Sequence, residues 1–353
     1  MTIKNQLAVL YGTDFRNIAI GGIQNFIKLL AESEKFADKM TYFTMSDSDL
    51  IFKSRNIHVK TSSIGKRFRL PNHFLFAISL AKHSDQLNEF DTLLLHRPEY
   101  ALFINHPRKV LVLHGGTWNA IRAVGFIRGI LHALIEFYAV RKCILVLTVN
   151  PKGQSRISRR LMQREGSIRV PLNRLFSMMD VRINSSLAFS SSRLEREKRI
   201  LDIVKITREA GIPLKISGIG SLNRDDEFMK TLQNSPSVEY LGLKTPEDLA
   251  SMYSEGGYFL ALGVAEGYPL ACVEAMAAGL QVVTLRKLTG ISQLQPFGAY
   301  VAANRKEIIE FLRGEKRIMS EDQRQLLVRE HLPEKILEEI WNEIYSVESK
   351  YVD

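Results

Sequence analysis

Short, continuously apolar runs rich in Val, Ile and Leu recur along the whole chain, each followed by a segment with helical spacing, and this rhythm limits the fold more than any other feature. Strands at 7–11, 41–45, 56–60, 92–95, 110–113, 144–149 and 167–170 are expected in the first half. Those of the second half are expected at 187–190, 213–217, 238–241, 258–262, 282–285 and 300–302. Helical patterns lie between them, among others at 22–33, 72–83, 197–210, 225–232 and 245–253. Runs without polar alternation mean strands buried on both faces, which calls for parallel sheets covered by helices on each side. At 353 residues the chain exceeds the usual size of one core. Two doubly wound Rossmann-like α/β domains facing across a cleft are therefore expected, spanning 1–178 and 179–332. The segment 171–180 breaks the rhythm and marks the junction. A closing helix within 333–353 is expected to pack back towards the N-terminal domain, its apolar positions recurring at helical spacing.

Ligands of such sheets bind beyond the carboxyl ends of the strands, which directs attention to 263–285. This stretch crosses a Gly/Pro loop after an apolar run, enters a helix of small residues, stops at Gly279 and re-enters a strand. Pro269 suits the first helical position and Gly279 the position just past the end. The start of such a helix favours an anion, best matched to phosphate. Glu266 on the loop and Glu274 within the helix flank it with seven residues between them. Carboxylates there are suited to hydroxyls rather than to phosphate, and a phosphate site beside two hydroxyl acceptors fits a nucleotide sugar. Taken alone, Glu266 reads equally as complementation of the helix dipole, and Glu274 as an ordinary exposed helix residue.

Other strand ends add to this. Arg193 and Lys198 follow the 187–190 run, where a fork and a point charge suit a diphosphate from two sides; the bland alternative is a solvated charge run. Gly218 and Gly220 follow the 213–217 run and permit close backbone approach, or simply make a turn. His114 closes the 110–113 run ahead of Gly115 and Gly116, a position suited to contacting substrate. Gly21 and Gly22 open the first helix, but their spacing from Gly12 does not fit a dinucleotide fingerprint. No HExxH, paired CxxC or nucleophile-elbow motif is present, so neither a metal nor another cofactor is expected.

These residues together resemble the two-domain GT-B glycosyltransferases of the large family marked by a Glu-x7-Glu motif (family 4). Glu266 to Gly279 match that motif nearly throughout, and Arg193 and Lys198 have the spacing of the family's basic pair. Gly218-Ile-Gly220, the strand end at Leu243 and the Gly21-Gly22 loop follow in the expected order. The resemblance is specific over 186–285 and looser over 1–178. It implies donor binding by the second domain, with Arg193 and Lys198 on the diphosphate and Glu274 on the ribose. Glu266 would contact the transferred sugar, with backbone around Gly267, Tyr268, Pro269 and Leu270 assisting, and His114 would reach the sugar across the cleft. Glu136 stands where many relatives carry a glutamate before a strand. Retention of configuration without a metal is implied as well. Gln281 departs from the family's usual proline, and 290–293 lacks an acidic residue many relatives carry.

Charge divides unevenly. Residues 1–178 hold 26 Lys+Arg against 12 Asp+Glu, a balance of +14, and 179–353 hold 22 against 26, a balance of −4. The basic half lacks the interleaved aromatics of a single-strand binder, and no nucleic-acid partner is expected. A basic acceptor domain, with Arg156, Arg159, Arg160, Arg164 and Arg169 crowded together, suits an anionic membrane face and a lipid-linked or growing glycan acceptor. The 126–140 segment reads either as a helix lying on that membrane or as an ordinary buried one. The two cysteines sit in apolar settings and no signal-like or spanning segment occurs, so a cytoplasmic, peripherally bound protein is expected. The donor is expected to be a UDP-sugar, with a GDP-sugar open. A nucleotide-sugar epimerase of the same fold and a catalytically silent subunit are the competing readings.

Overall fold

Where the sequence runs are continuously apolar, the strands are buried end to end. A computed structural model describes residues 6–15, 22–47, 52–61, 71–115, 126–150, 156–178, 187–263, 267–286, 290–314 and 319–348. The chain divides into two compact units, 1–171 together with 333–353, and 172–332.

The first unit is built on a 7-stranded parallel sheet in the order β3-β2-β1-β4-β5-β6-β7. Its strands are β1 Leu7–Leu10, β2 Met40–Thr44, β3 Arg55–His58, β4 Thr92–Leu95, β5 Lys109–Leu113, β6 Leu145–Thr148 and β7 Glu165–Ser167. All but the edge strands β3 and β7 are buried throughout. Its helices include α1 Gly22–Ala31, α2 Asn72–Leu80, the short α3 Tyr100–Phe103, α4 Phe126–Lys142 and α5 Arg156–Leu161. The last strand lies earlier than the expected 167–170. Ile168 and Val170 are buried, but they follow the ladder, whose last rung joins Thr148 to Ser167; their apolar character reflects core packing.

The second unit repeats the plan with a 6-stranded parallel sheet, β10-β9-β8-β11-β12-β13. The strands are β8 Ala188–Ser191, β9 Leu214–Ser217, β10 Val238–Tyr240, β11 Tyr258–Ala261, β12 Gln281–Leu285 and β13 Tyr300–Ala302. Helices α6 Ile200–Ala210, α7 Asp226–Gln233, α8 Pro246–Tyr253, α9 Leu270–Ala277, α10 Arg305–Arg313 and α11 Glu321–Glu330 accompany it. Its main core gathers apolar residues from β8, β9, β11, α6, α7 and α10, such as Ile203, Ile216, Leu260 and Phe311. Both sheets reverse direction of growth at one point, between β1 and β4 and between β8 and β11, and such switch points open a crevice at the strands' carboxyl ends.

The terminal helix α12, Pro333–Glu348, belongs to the first unit. Ile336, Leu337, Ile340 and Ile344 are buried, and Trp341 stacks on Phe36 with ring centroids 4.5 Å apart. Its carboxylates meet basic residues of the same unit: Glu338 with Lys35 at 2.5 Å, Glu339 with Arg169 at 2.5 Å, and Glu343 with Arg164 at 3.4 Å. Arg164 and Arg169 therefore face their own helix, and Arg159 pairs with Glu165 at 3.0 Å.

Candidate active site

At the second unit's switch point the loop after β8 carries Arg193 and Lys198, and the loop after β11 leads into α9. Arg193 is exposed and Lys198 half-buried. The helix expected from 197 is interrupted: Arg196–Lys198 form a 3-10 turn, Arg199 adopts left-handed φ 55°, and α6 starts at Ile200. The strained Arg199 is steadied by a 2.7 Å bond from its Nε to Asp202. Lys198 thus stands on a turn at the strand end, not within the helix.

Gly218 and Gly220 fix this loop. At Gly218, φ is 137° and an added Cβ would lie 1.8 Å from the Ser192 carbonyl oxygen; at Gly220 it would lie 2.4 Å from that of Leu194. The space the glycines leave is filled by the backbone of the Arg193 loop. Cross-links complete the lock: Ser192 N–H donates to Ser217 O at 3.1 Å, and Leu194 N–H to Ile219 O at 3.2 Å. Tyr240 Oη donates to Gly218 O at 2.9 Å and accepts from Asn223 at 2.7 Å. Leu243, just beyond β10, is exposed.

The helix α9 begins at Leu270 and not at Pro269. Pro269 is the capping residue, its carbonyl accepting from Cys272 N–H at 2.9 Å and Val273 N–H at 3.2 Å. Leu270 N–H turns back to Tyr268 O at 3.0 Å, so this amide is not among those the helix start presents to an anion. Gly267 packs against Gly290, whose Cβ would meet the Gly267 carbonyl oxygen at 2.4 Å; the segment 290–293 therefore abuts this loop. Glu274 is half-buried, and desolvation pushes its carboxyl up to about 8. Glu266 and Gly21 lie outside the described residues.

Two residues beyond any local motif hold α9 at both ends. Arg324, buried on α11, donates to the Ala277 carbonyl at 2.7 Å, satisfying the helix's carboxyl end beside the left-handed Gly279. His331, fully buried, bonds the Leu327 carbonyl through Nδ1 at 2.7 Å and the Tyr268 hydroxyl through Nε2 at 2.7 Å. A carbonyl only accepts, so Nδ1 carries the proton and Nε2 accepts from Tyr268. The Tyr268 side chain is thereby anchored to the end of α11. Gln281 is likewise structural: its amide donates to Gly298 O at 2.8 Å and its carbonyl accepts from Met319 N–H at 3.0 Å.

In the first unit, His96 follows β4 at the switch point and His114 follows the neighbouring β5. The rings stack, with His96 Nδ1 and His114 Nε2 2.9 Å apart. Burial holds both imidazoles neutral, His96 well below its ordinary value and His114 down to about 3, helped by His114 and Arg97 respectively. His96 Nε2 is buried without a partner among the described residues. An unpaired lone pair costs less than an unpaired N–H, so His96 donates from Nδ1 and His114, accepting at Nε2, keeps its own N–H on Nδ1. A Cβ on Gly22 would meet nothing within 4 Å. Glu136 is buried and accepts from Ser158 at 3.0 Å, joining α4 to α5. No group of three or more metal-type side chains occurs among the described residues.

Residues 181–325 match the sequence profile of the family described as glycosyl transferases group 1. Over 97 residues the chain is 31% identical to the UDP-N-acetylglucosamine–peptide N-acetylglucosaminyltransferase GtfA subunit of Streptococcus pneumoniae; this covers 27% of the chain and only 19% of that relative's length. Sucrose-phosphate synthase from Thermosynechococcus elongatus superposes with a TM-score of 0.71 at 14% identity, over 97% of this chain and 99% of that one. HepE of Anabaena, solved with UDP and glucose, gives 0.69 at 12% identity over 97% and 99%. Residues 181–325 thus match the family described as glycosyl transferases group 1, and the chain that carries them has the fold of the GT-B glycosyltransferases.

Proposed function

We propose that the chain transfers a hexose-type sugar from a nucleoside diphosphate sugar, a UDP-sugar in preference to a GDP-sugar, to a lipid-linked sugar or growing surface polysaccharide at the cytoplasmic face of an anionic membrane. The observation that carries the donor half is the meeting of two features at one switch point: the glycine-locked loop bearing Arg193 and Lys198 after β8, and the start of α9 after β11. In this reading Arg193 and Lys198 hold the diphosphate and stabilise its charge as the glycosidic bond breaks, while Glu274 accepts hydrogen bonds from the ribose. Glu266 orients the transferred sugar. The work is positioning and charge stabilisation, and the configuration at the anomeric carbon is retained without a metal. The UDP of the HepE complex and the UDP-sugar in the name of the GtfA relative support the choice of base. The acceptor half is supported by the basic character of the first unit.

The test is thermal stabilisation of the purified chain by UDP, GDP and ADP and their sugar conjugates, with EDTA present. Stabilisation by the uridine compounds, lost in Arg193→Ala and Lys198→Ala, is expected. A folded sample that none of them stabilises would overturn the reading in favour of a silent subunit.

A further inference from the structure

The exposed large apolar side chains of the described residues are not scattered evenly. Of eleven, seven lie on α3, α4 and α5 of the first unit, so they form a patch and not background. On α4, Ile130, Leu131, Leu134 and Tyr138 are 42%, 58%, 59% and 43% exposed. Their spacing places them on one face, while Ala133, Glu136, Ala139 and Val140 are buried on the other. Ile157 of α5, 58% exposed, belongs to the helix that Ser158 ties to Glu136. A soluble monomer seldom leaves so much contiguous apolar surface uncovered unless something docks on it.

The charges around the patch choose the occupant. The sequence of α4 and α5 holds a single carboxylate, Glu136, and it is turned inside. Arg141 and Lys142 are exposed at the carboxyl end of α4, and Arg160 is exposed on α5. Lys142 Nζ lies 5.7 Å from the centre of the Tyr138 ring, extending basic charge along the apolar face. A helix of 17 residues with a wet charged end is too short and too polar to span a bilayer, and none among the described residues is long and apolar enough to do so. One apolar face bordered by cations, without exposed acids, is the pattern of a helix lying in a lipid headgroup layer.

We propose that α4 and α5 dock the chain on an anionic phospholipid surface, with Leu131 and Leu134 entering the headgroup boundary and Arg141, Lys142 and Arg160 meeting lipid phosphates. This rests on the reading of a lipid-linked or membrane-borne acceptor, and it makes the first unit the side that faces the membrane.

The test is co-sedimentation of the whole chain with phosphatidylcholine vesicles, with and without phosphatidylglycerol. Sedimentation only with the anionic vesicles, weakening as salt is raised, is expected. Leu131→Glu/Leu134→Glu should abolish it, and Arg141→Gln/Lys142→Gln should weaken it about tenfold or more, given ~1 kcal/mol per basic residue at such a surface. Far-UV circular dichroism and the Tm without ligand should match wild type in both variants, which shows that they are folded, and stabilisation by UDP should be unchanged. Wild-type chain that UDP stabilises but anionic vesicles do not retain overturns this proposal and leaves the donor assignment standing. Vesicle binding lost in the variants, in a chain that UDP never stabilises, supports docking and overturns the donor assignment instead. Variants that sediment like wild type, or a wild-type dimer that Leu131→Glu/Leu134→Glu dissolves, also overturn it, the latter by identifying a second copy as the occupant.

Discussion

The two sheets follow the same strand order, yet their carboxyl edges are finished in opposite ways. The second unit presents exposed charge on a loop locked by backbone: Arg193 stands between residues whose carbonyls fill the space that Gly218 and Gly220 leave. The first unit presents two neutral imidazoles sunk in aromatic surroundings, His114 meeting Phe26 edge-on with centroids 4.8 Å apart. Under the proposed function, an edge that meets a diphosphate needs fixed geometry and cations, whereas a neutral N–H such as that left on His114 suits uncharged hydroxyls. The overall charges separate too, though less than a division at residue 178 suggests. With α12 counted where it packs, the first unit holds 27 Lys+Arg against 18 Asp+Glu, or +9, and the second 21 against 20, or +1.

The comparison breaks most sharply at the glycines. Gly218→Ala should cost about 3 kcal/mol or more, because it adds left-handed strain to a backbone clash, whereas Gly22→Ala, which meets open space, should change stability by less than about 0.5 kcal/mol. Urea denaturation of both measures the contrast, and equal effects would remove it. Next comes Lys198→Ala, expected to lower kcat by about 10² or more with the fold intact, the scale of one lost charge-stabilising group. Steady-state rates at saturating donor decide it; a wild-type kcat would sink the role.

Tyr268→Phe is expected to raise the donor KM by roughly tenfold, since it frees the donor loop from His331 at a cost of about 1–2 kcal/mol. Tyr268→Phe combined with His331→Gln should lose little more than either alone. Additive losses in that cycle would show the two residues acting separately. The last prediction concerns the pH dependence at Glu274. Its folded carboxyl titrates near 8, above the usual 4.5, so between these values the folded chain holds a proton that the unfolded chain has lost. Stability attributable to this group falls as pH rises through that window. The Tm of Glu274→Gln should therefore match wild type near pH 4 and exceed it by a few degrees at pH 9, while donor affinity is weakened. A Tm difference that does not vary with pH would mean that the carboxyl titrates normally.

Much of the fold was legible because buried parallel strands write themselves as continuous apolar runs; only β7, at the edge, was displaced. The stretch around α9 was legible for a related reason, since glycine, proline and a helix start act through the backbone of their own neighbourhood. The same local reading failed at Arg199, where one left-handed residue splits an otherwise uniform helical pattern. It also missed His331 and Arg324, which serve α9 from 47 to 63 positions away and carry no signal of their own. His96 was missed likewise, since nothing but the packing of β4 beside β5 tells one strand-end histidine from another.

The sequence by itself determined the two parallel sheets, the capped helix α9 and the basic pair after β8, because each depends on residues adjacent in the chain or on a simple periodicity of burial. Tertiary structure decided the rest. It turned the Arg164 and Arg169 charges onto α12, filled the Gly218 gap with protein backbone, set the protons of His96 and His331, and left one face of α4 bare. Each of these depends on which distant groups are brought within a few ångströms, and hydrogen bonds, desolvation and ion pairing act only at that range.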